Sequence, residues 1–159
     1  MLKYELKFIE SILSLYRLAI LIYLQQSTTA MSKSKIYMIP CPIAENAEHT
    51  IPQYVIQQIH EIRFFIVERA KTARHFLKSI KHPLPLQEIH VEQIVKHDKL
   101  YAETIFQEWT NQNKTIGIIS EAGCPGIADP GALFAGLAHR KGLEIKPLVG
   151  PSSIFLALM

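Results

Sequence analysis

The residues whose types and spacing could do chemistry collect in two short stretches late in the chain. The first runs Ser120-Glu121-Ala122-Gly123-Cys124-Pro125-Gly126-Ile127-Ala128-Asp129-Pro130-Gly131, the second Val149-Gly150-Pro151-Ser152-Ser153. A turn this dense in glycine and proline is rigid and carries few side chains. It presents backbone N–H and C=O groups to a planar or zwitterionic ligand. The alternative is a tight connection into the next helix, with Asp129 as N-cap and Pro130 at N1. That accounts for Asp129 but not for the residues before it. The second stretch also ends a strand and opens a helix, so its free amides and the hydroxyls of Ser152 and Ser153 suit a polar ligand. All seven glycines lie between Gly117 and Gly150. The loop after the first strand therefore has none, which excludes the dinucleotide fingerprint and the phosphate-binding P-loop.

Two titratable residues, Glu68 and His97, stand at predicted strand ends and are the candidates for a general base. For Glu68 the alternative is simple neutralisation by Arg69 or Arg74. From Arg63 to Lys81 there are six basic residues and one acid, Glu68. Lys71, Arg74 and Lys78 share one helix face, opposite Phe76, Leu77 and Ile80. With Arg69 they form either a solvated basic face or a set of contacts to RNA phosphates. His49, His60, His75, His82, His90 and His139 show no metal-binding spacing, so no metal is expected. Cys41 and Cys124 form neither a disulfide framework nor a metal motif and read as reduced cytosolic thiols.

The elements that must position these residues alternate. Lys35 to Ile39 is a short apolar strand closed by Pro40. Thr50 could cap a helix with Pro52 in its first turn and a stripe of Val55, Ile56, Ile59 and Ile62. Phe64 to Val67 is a second strand. Ala73, Phe76, Leu77 and Ile80 face inward on the next helix. Glu88 to Ile94 is a third strand. Leu100 to Trp109 is helical, with Leu100, Ile105, Phe106 and Trp109 inward. Thr115 to Ile119 is a buried fourth strand. Residues 130–141 form a helix ended by Gly142, Glu144 to Val149 a fifth strand, and Ser152 or Ser153 starts a last helix. This alternation predicts an α/β fold, a five-stranded parallel sheet with helices on both faces. Ligands then bind outside the carboxyl ends of the strands, where the loops beginning at Pro40, Glu68, about His97, Ser120 and Gly150 would meet.

The 159 residues are 48% hydrophobic and 19% charged, with a net charge of +3. This is enough apolar material for a core and excludes disordered and collagen-like classes. Residues 1–30 differ in composition. Ile12 to Leu24 is apolar except for Arg17, but thirteen residues are too few to span a bilayer. The segment reads as an extension from an upstream start, an amphipathic appendage or a targeting element. Met31-Ser-Lys-Ser-Lys reads as an ordinary cytosolic start. The expected organisation is therefore an extension over 1–30, an α/β domain over 31–150, and the start of a linker helix over 151–159.

SEAGCPGIADPG followed by PLVGPSS resembles the tetrapyrrole methylase superfamily, closest to the branch that methylates ribose 2′-hydroxyls of small-subunit ribosomal RNA. The likeness covers Lys35 to Met159. It implies the N-terminal domain of that fold, with a second domain missing, so the chain reads as a fragment that does not turn over alone. It implies S-adenosylmethionine as cofactor, bound through Glu121, Ala122, Gly123, Cys124, Pro125 and Ile127, with Ser152 and Ser153 from the second stretch and Pro42 from the first loop. A side chain at Gly123 is expected to fill the cofactor's space. The implied partner is ribosomal RNA or the small ribosomal subunit, the full-length form a homodimer, and the compartment the cytoplasm, without membrane contact. A porphyrinoid methyltransferase and a non-catalytic remnant are the other readings. The sequence departs from the branch in three places. No glycine stands two residues after Pro42, Arg69 replaces a second acid after Glu68, and Lys71 replaces an arginine.

Overall fold

The computed structural model describes residues 34–94 and 98–159. Residues 1–30, expected to be an extension, and Met31 and His97 lie outside the described residues. Among those described, β1 (Lys35–Ile39), β2 (Phe64–Val67), β3 (His90–Gln93), β4 (Ile116–Ile119) and β5 (Glu144–Pro147) form one sheet in the order β3-β2-β4-β1-β5. Every neighbouring pair is parallel. Helices α1 (Gln53–His60), α2 (Ala70–Ser79), α3 (Lys99–Asn111) and α4 (Gly131–Arg140) connect successive strands, and α5 (Ser153–Leu158) follows β5.

Strand side chains alternate between faces, and the two faces bury separate cores. Tyr37, Ile39, Phe65, Val67 and Ile119 pack with Val55 and Ile59 of α1 and Ala73, Phe76 and Leu77 of α2. Ile36, Met38, Ile66, Ile116 and Ile118 pack with Ala102, Phe106 and Trp109 of α3 and Phe134 and Leu137 of α4. Phe106 and Phe134 meet at 5.6 Å between ring centroids. Each fully buried side chain of this size contributes about 1.5–3 kcal/mol. Gly117 lies between Tyr37 and Phe65 in the sheet. A Cβ there would come within 2.8 Å of Phe65 Cδ1, so the missing side chain makes room for the aromatic ring.

The chain walks from β1 to β3 in one direction with α1 and α2 on one face. It returns through β4 to β5 with α3 and α4 on the other. β1 and β4 are neighbours, yet the helices that follow them leave on opposite faces. Their loops therefore part at the carboxyl edge, the topological switch point where open α/β sheets bind ligands.

Several helix starts differ from the sequence expectation. Thr50 lies in a short 3-10 turn, Glu48–Thr50, and its hydroxyl donates to Ala47 O at 2.7 Å; α1 is preceded by Pro52 instead. Leu100 is 77% exposed. The inward positions of α3 are Ala102, Phe106 and Trp109, and Leu100, two residues before Ala102, falls on the opposite side of a 3.6-residue helix. Asp98 accepts from Tyr101 N at 2.9 Å and caps that helix. β3 and β5 are shorter than expected, four residues each, and half-exposed at the sheet edges. No helix of the described residues is long and apolar enough to cross a membrane.

Candidate functional site

The loops after β1, β4 and β5 are tied together at the carboxyl edge. Cys41 N donates to Gly123 O at 2.9 Å and Gly123 N to Cys41 O at 3.0 Å, an antiparallel bridge between two loops. Ser120, buried beneath it, points its hydroxyl at Ala122 O and Gly123 O, each at 3.2 Å. Cys124 Sγ donates toward Gly150 O at 3.4 Å and Pro151 O at 3.3 Å. Gly150 lies so close to Pro40 that a Cβ would overlap its ring.

Gly123 has φ +70°, and a Cβ on it would sit 3.3 Å from Pro151 O. The missing side chain thus also serves the chain's own packing, beside the expected role of leaving space for a ligand. Asp129 closes the loop. Its Oδ2 accepts from Gly126 N at 2.7 Å and Ile127 N at 3.2 Å, and its Oδ1 from Gly131 N at 2.6 Å. The cap position itself is Pro130, in helical conformation. Asp129 still satisfies an amide of the first turn while holding the loop that precedes it. Ala128, between these contacts, is held at φ +61°, a left-handed conformation costing about 1–2 kcal/mol for a residue with a Cβ.

The β2–α2 junction joins from the other side. Glu68 N continues the sheet by donating to Ile119 O at 3.0 Å, and Glu68 Oε2 accepts from Glu121 N at 3.0 Å. Arg69 Nη1 meets Glu121 Oε1 at 2.8 Å, so Arg69 pairs with Glu121 rather than Glu68. Ala70 N at the start of α2 donates to Gln93 Oε1 at 2.9 Å. No local sequence signal marks Gln93, because β3 comes beside β2 only in the folded sheet.

A cleft of about 890 Å3 opens between the β1 loop, the first half of α2 and Glu121–Ala122. Of the residues singled out from sequence, Pro42, Arg69, Lys71, Glu121 and Ala122 line it. Gly123, Cys124 and Pro125 lie behind as the tied part of the loop. Ile127 is exposed, Ser152 is half-buried, and Ser153 is exposed at the start of α5. Arg74 and Lys78 are exposed on α2 outside the cleft lining. The cleft also takes Asn46, Glu48 and Thr72, which sequence reasoning passed over, and His75, which it weighed only as a metal ligand. The 71, 72, 75 spacing on one helix was the available signal.

Burial pushes the Cys41 thiol up to about 12, so it is a packing group and not a nucleophile. Burial also raises Cys124. The Glu48 carboxyl is held below its ordinary value by a hydrogen bond from its own backbone amide, then by the Ser79 hydroxyl, with His75 and His49 adding to the effect. A carboxylate that stays charged there can face a cation.

No protein-family profile matches the chain. It is similar to curated proteins named ribosomal RNA small subunit methyltransferase I. The one from Leptospira biflexa is 26% identical over 125 residues, covering 77% of this chain and 48% of the relative. That from Escherichia coli O157:H7 is 24% identical over 134 residues, 84% of this chain and 44% of the relative. That from Bacillus subtilis is 25% identical over 124 residues, 78% and 40%. The chain spans about half the length, or less, of the curated relatives it matches. The likeness first read from the glycine-rich loop and the strand-end serines is thus met by relatives that carry the ribosomal RNA methyltransferase name over about four fifths of this chain.

Proposed function

We propose that this chain carries the cofactor-side half of an S-adenosylmethionine-dependent methyltransferase whose substrate is a ribose 2′-hydroxyl of small-subunit ribosomal RNA. The observation that carries the reading is the Cys41–Gly123 bridge. It closes the motif loop against the first-strand loop at the sheet's switch point, beside an open cleft. The relatives' names supply methyl transfer and small-subunit ribosomal RNA, and the ribose hydroxyl comes from the motif resemblance.

The cleft fits the cofactor in size and donor chemistry. Its volume of about 890 Å3 is within the range of pockets that hold ligands of this size. Its carboxylates, Glu45, Glu48 and Glu121, suit a cationic centre, and the loop backbone suits an amino-acid end and a planar ring. When bound, S-adenosylmethionine supplies an electrophilic methyl group on a sulfonium. The residues of this chain do the rest. Pro42, Glu121 and Ala122 form the wall against which the cofactor rests, and Gly123 to Ile127 keep that wall fixed. Lys71, with Arg74 and Lys78 beyond the cleft, holds RNA phosphates. Glu68 spends one carboxylate oxygen on the Glu121 amide and keeps the other to accept the ribose proton. Positioning can remove about 7–11 kcal/mol of such a barrier, and a general base adds about 10²–10⁴-fold. The reading requires RNA or the small ribosomal subunit as partner and the cytoplasm as compartment.

The test is a calorimetric titration with S-adenosylmethionine. Saturable binding is expected, and it should weaken at least about tenfold in Ala122→Phe, which fills the cleft from an exposed position. The melting temperature should stay unchanged. Absence of binding to the parent chain, or identical binding to both, would refute the placement.

A further inference from the structure

Glu121 is gripped at two points by two consecutive residues. Its backbone N–H donates to Glu68 Oε2 at 3.0 Å, and its carboxylate Oε1 accepts from Arg69 Nη1 at 2.8 Å. The Glu68 carboxylate, which lies outside the cleft lining, is thereby brought to the backbone of Glu121, which lines the cleft together with Glu45 and Glu48. Arg69 supplies the compensating cation. A phosphate arriving at Arg69 would meet a guanidinium whose Nη1 edge and charge are already engaged by Glu121. Ion pairs among the described residues do not include Lys71, Arg74 or Lys78.

We infer that Arg69 is a positioning residue: it acts through Glu121 to hold the glycine-rich loop closed and is not one of the phosphate contacts. The functional meaning rests on the proposed cofactor role of that loop; the positioning itself does not. Because both side chains are largely exposed, at 61% and 45%, the grip is modest and screened by salt.

Two measurements on the whole chain test this. The first is amide exchange at Glu121 to Gly123, followed by NMR at low and high ionic strength. In the parent, exchange should speed about two- to fivefold as salt rises, the scale of an exposed pair. In Arg69→Gln it should be fast at both salts. The double exchange Arg69→Glu with Glu121→Arg should restore slow, salt-sensitive exchange, which a loss of general structure would not. The second is binding of a single-stranded RNA oligonucleotide across a salt series. Lys71→Gln should reduce the salt slope by about one, while Arg69→Gln leaves it unchanged. A slope lowered by about one in Arg69→Gln overturns the inference, as does loop exchange in Arg69→Gln equal to the parent's. If the oligonucleotide binds no variant, the RNA reading fails, and the exchange measurement still decides Arg69.

Discussion

The two ends of the sheet are fastened by different chemistry. At the carboxyl end the β1 and β4 loops are joined backbone to backbone, Cys41 to Gly123, with Gly150 flat against Pro40, and the side chains of Ser120, Glu68 and Asp129 brace that junction. At the amino end of β2 the ties run from two side chains to backbone. His60 Nε2 meets Ile80 O at 2.9 Å, and His82 Nε2 meets Ile62 O at 3.1 Å. Each histidine thus crosses to the turn that carries the other, and the rings stand edge-on at 5.7 Å. Backbone ties with no room for side chains do not titrate and tolerate few substitutions. Imidazole ties tolerate substitution better and respond to pH. The Cys41–Gly123 junction is the one held by the less adjustable means.

The largest effect that would break this contrast is at Gly150. Gly150→Ala places a Cβ into the Pro40 ring, whose position is fixed by the backbone of the β1 loop. A loss of about 3 kcal/mol is expected, the upper end for overpacking. It is read as a lower urea midpoint at constant slope. A loss under about 0.5 kcal/mol, the scale of an ordinary surface change, would show that the carboxyl end adjusts after all.

Asp129→Ala comes next. It removes acceptors from Gly126, Ile127 and Gly131 at once. About 2 kcal/mol should be lost, the upper value for a cap residue. Asp129→Asn should recover part of it, because one amide oxygen can still accept. Thermal melts of the two variants separate these outcomes. Gly123→Ala is smaller, about 1–2 kcal/mol, mainly from the left-handed backbone, with the close approach to Pro151 O beside it. It should also speed amide exchange at Cys41 more than at Ile62, since only the first is tied to the loop.

These expectations mark what was legible in the sequence. β1 and β2 coincide with KIYMI and FFIV because a continuous apolar run buried on both faces carries its own signal. The glycine-rich loop was legible because glycine and proline are punctuation. What eluded the sequence were pairings set by strand order. The Cys41–Gly123 bridge, the Gln93 contact at α2 and the Arg69–Glu121 pair each join segments far apart in the chain. Helix starts were misread where a local cap competed with another polar residue nearby. Thr50 turned back to Ala47, and Asp98 rather than the apolar stripe fixed where α3 begins. Gly123 was marked for its residue type, but the direction in which its side chain would point needs the position of Pro151.

The smallest effect, and the one that sharpens the amino-end half of the contrast, is pH dependence at His82. Leu84 N donates to His82 Nδ1 at 3.2 Å, so that nitrogen is unprotonated and the proton sits on Nε2, which faces Ile62 O. A second proton would go to Nδ1, where it would oppose the Leu84 N–H in a half-buried site edge-on to Phe65 and His60. Burial holds the His82 pKa below its ordinary value, and the neighbouring His60 adds to this against the backbone contacts. The unfolded chain therefore binds more protons than the folded one as pH falls through the ordinary histidine value, about 6.5. The stabilisation is full above that pH and declines as pH drops toward the lowered folded value. Glu48, whose pKa is also lowered, acts at lower pH, below about 4.3, because an unfolded glutamate titrates there. Urea midpoints measured between about pH 7.5 and 5.5, bracketing the histidine value, should fall in the parent and fall less in His82→Gln. Gly123→Ala should keep the parent's slope from a lower starting point, since no group that titrates in this range is part of the backbone bridge it disturbs. Equal slopes in the parent and His82→Gln would place the pH response elsewhere and remove the difference between the two ends.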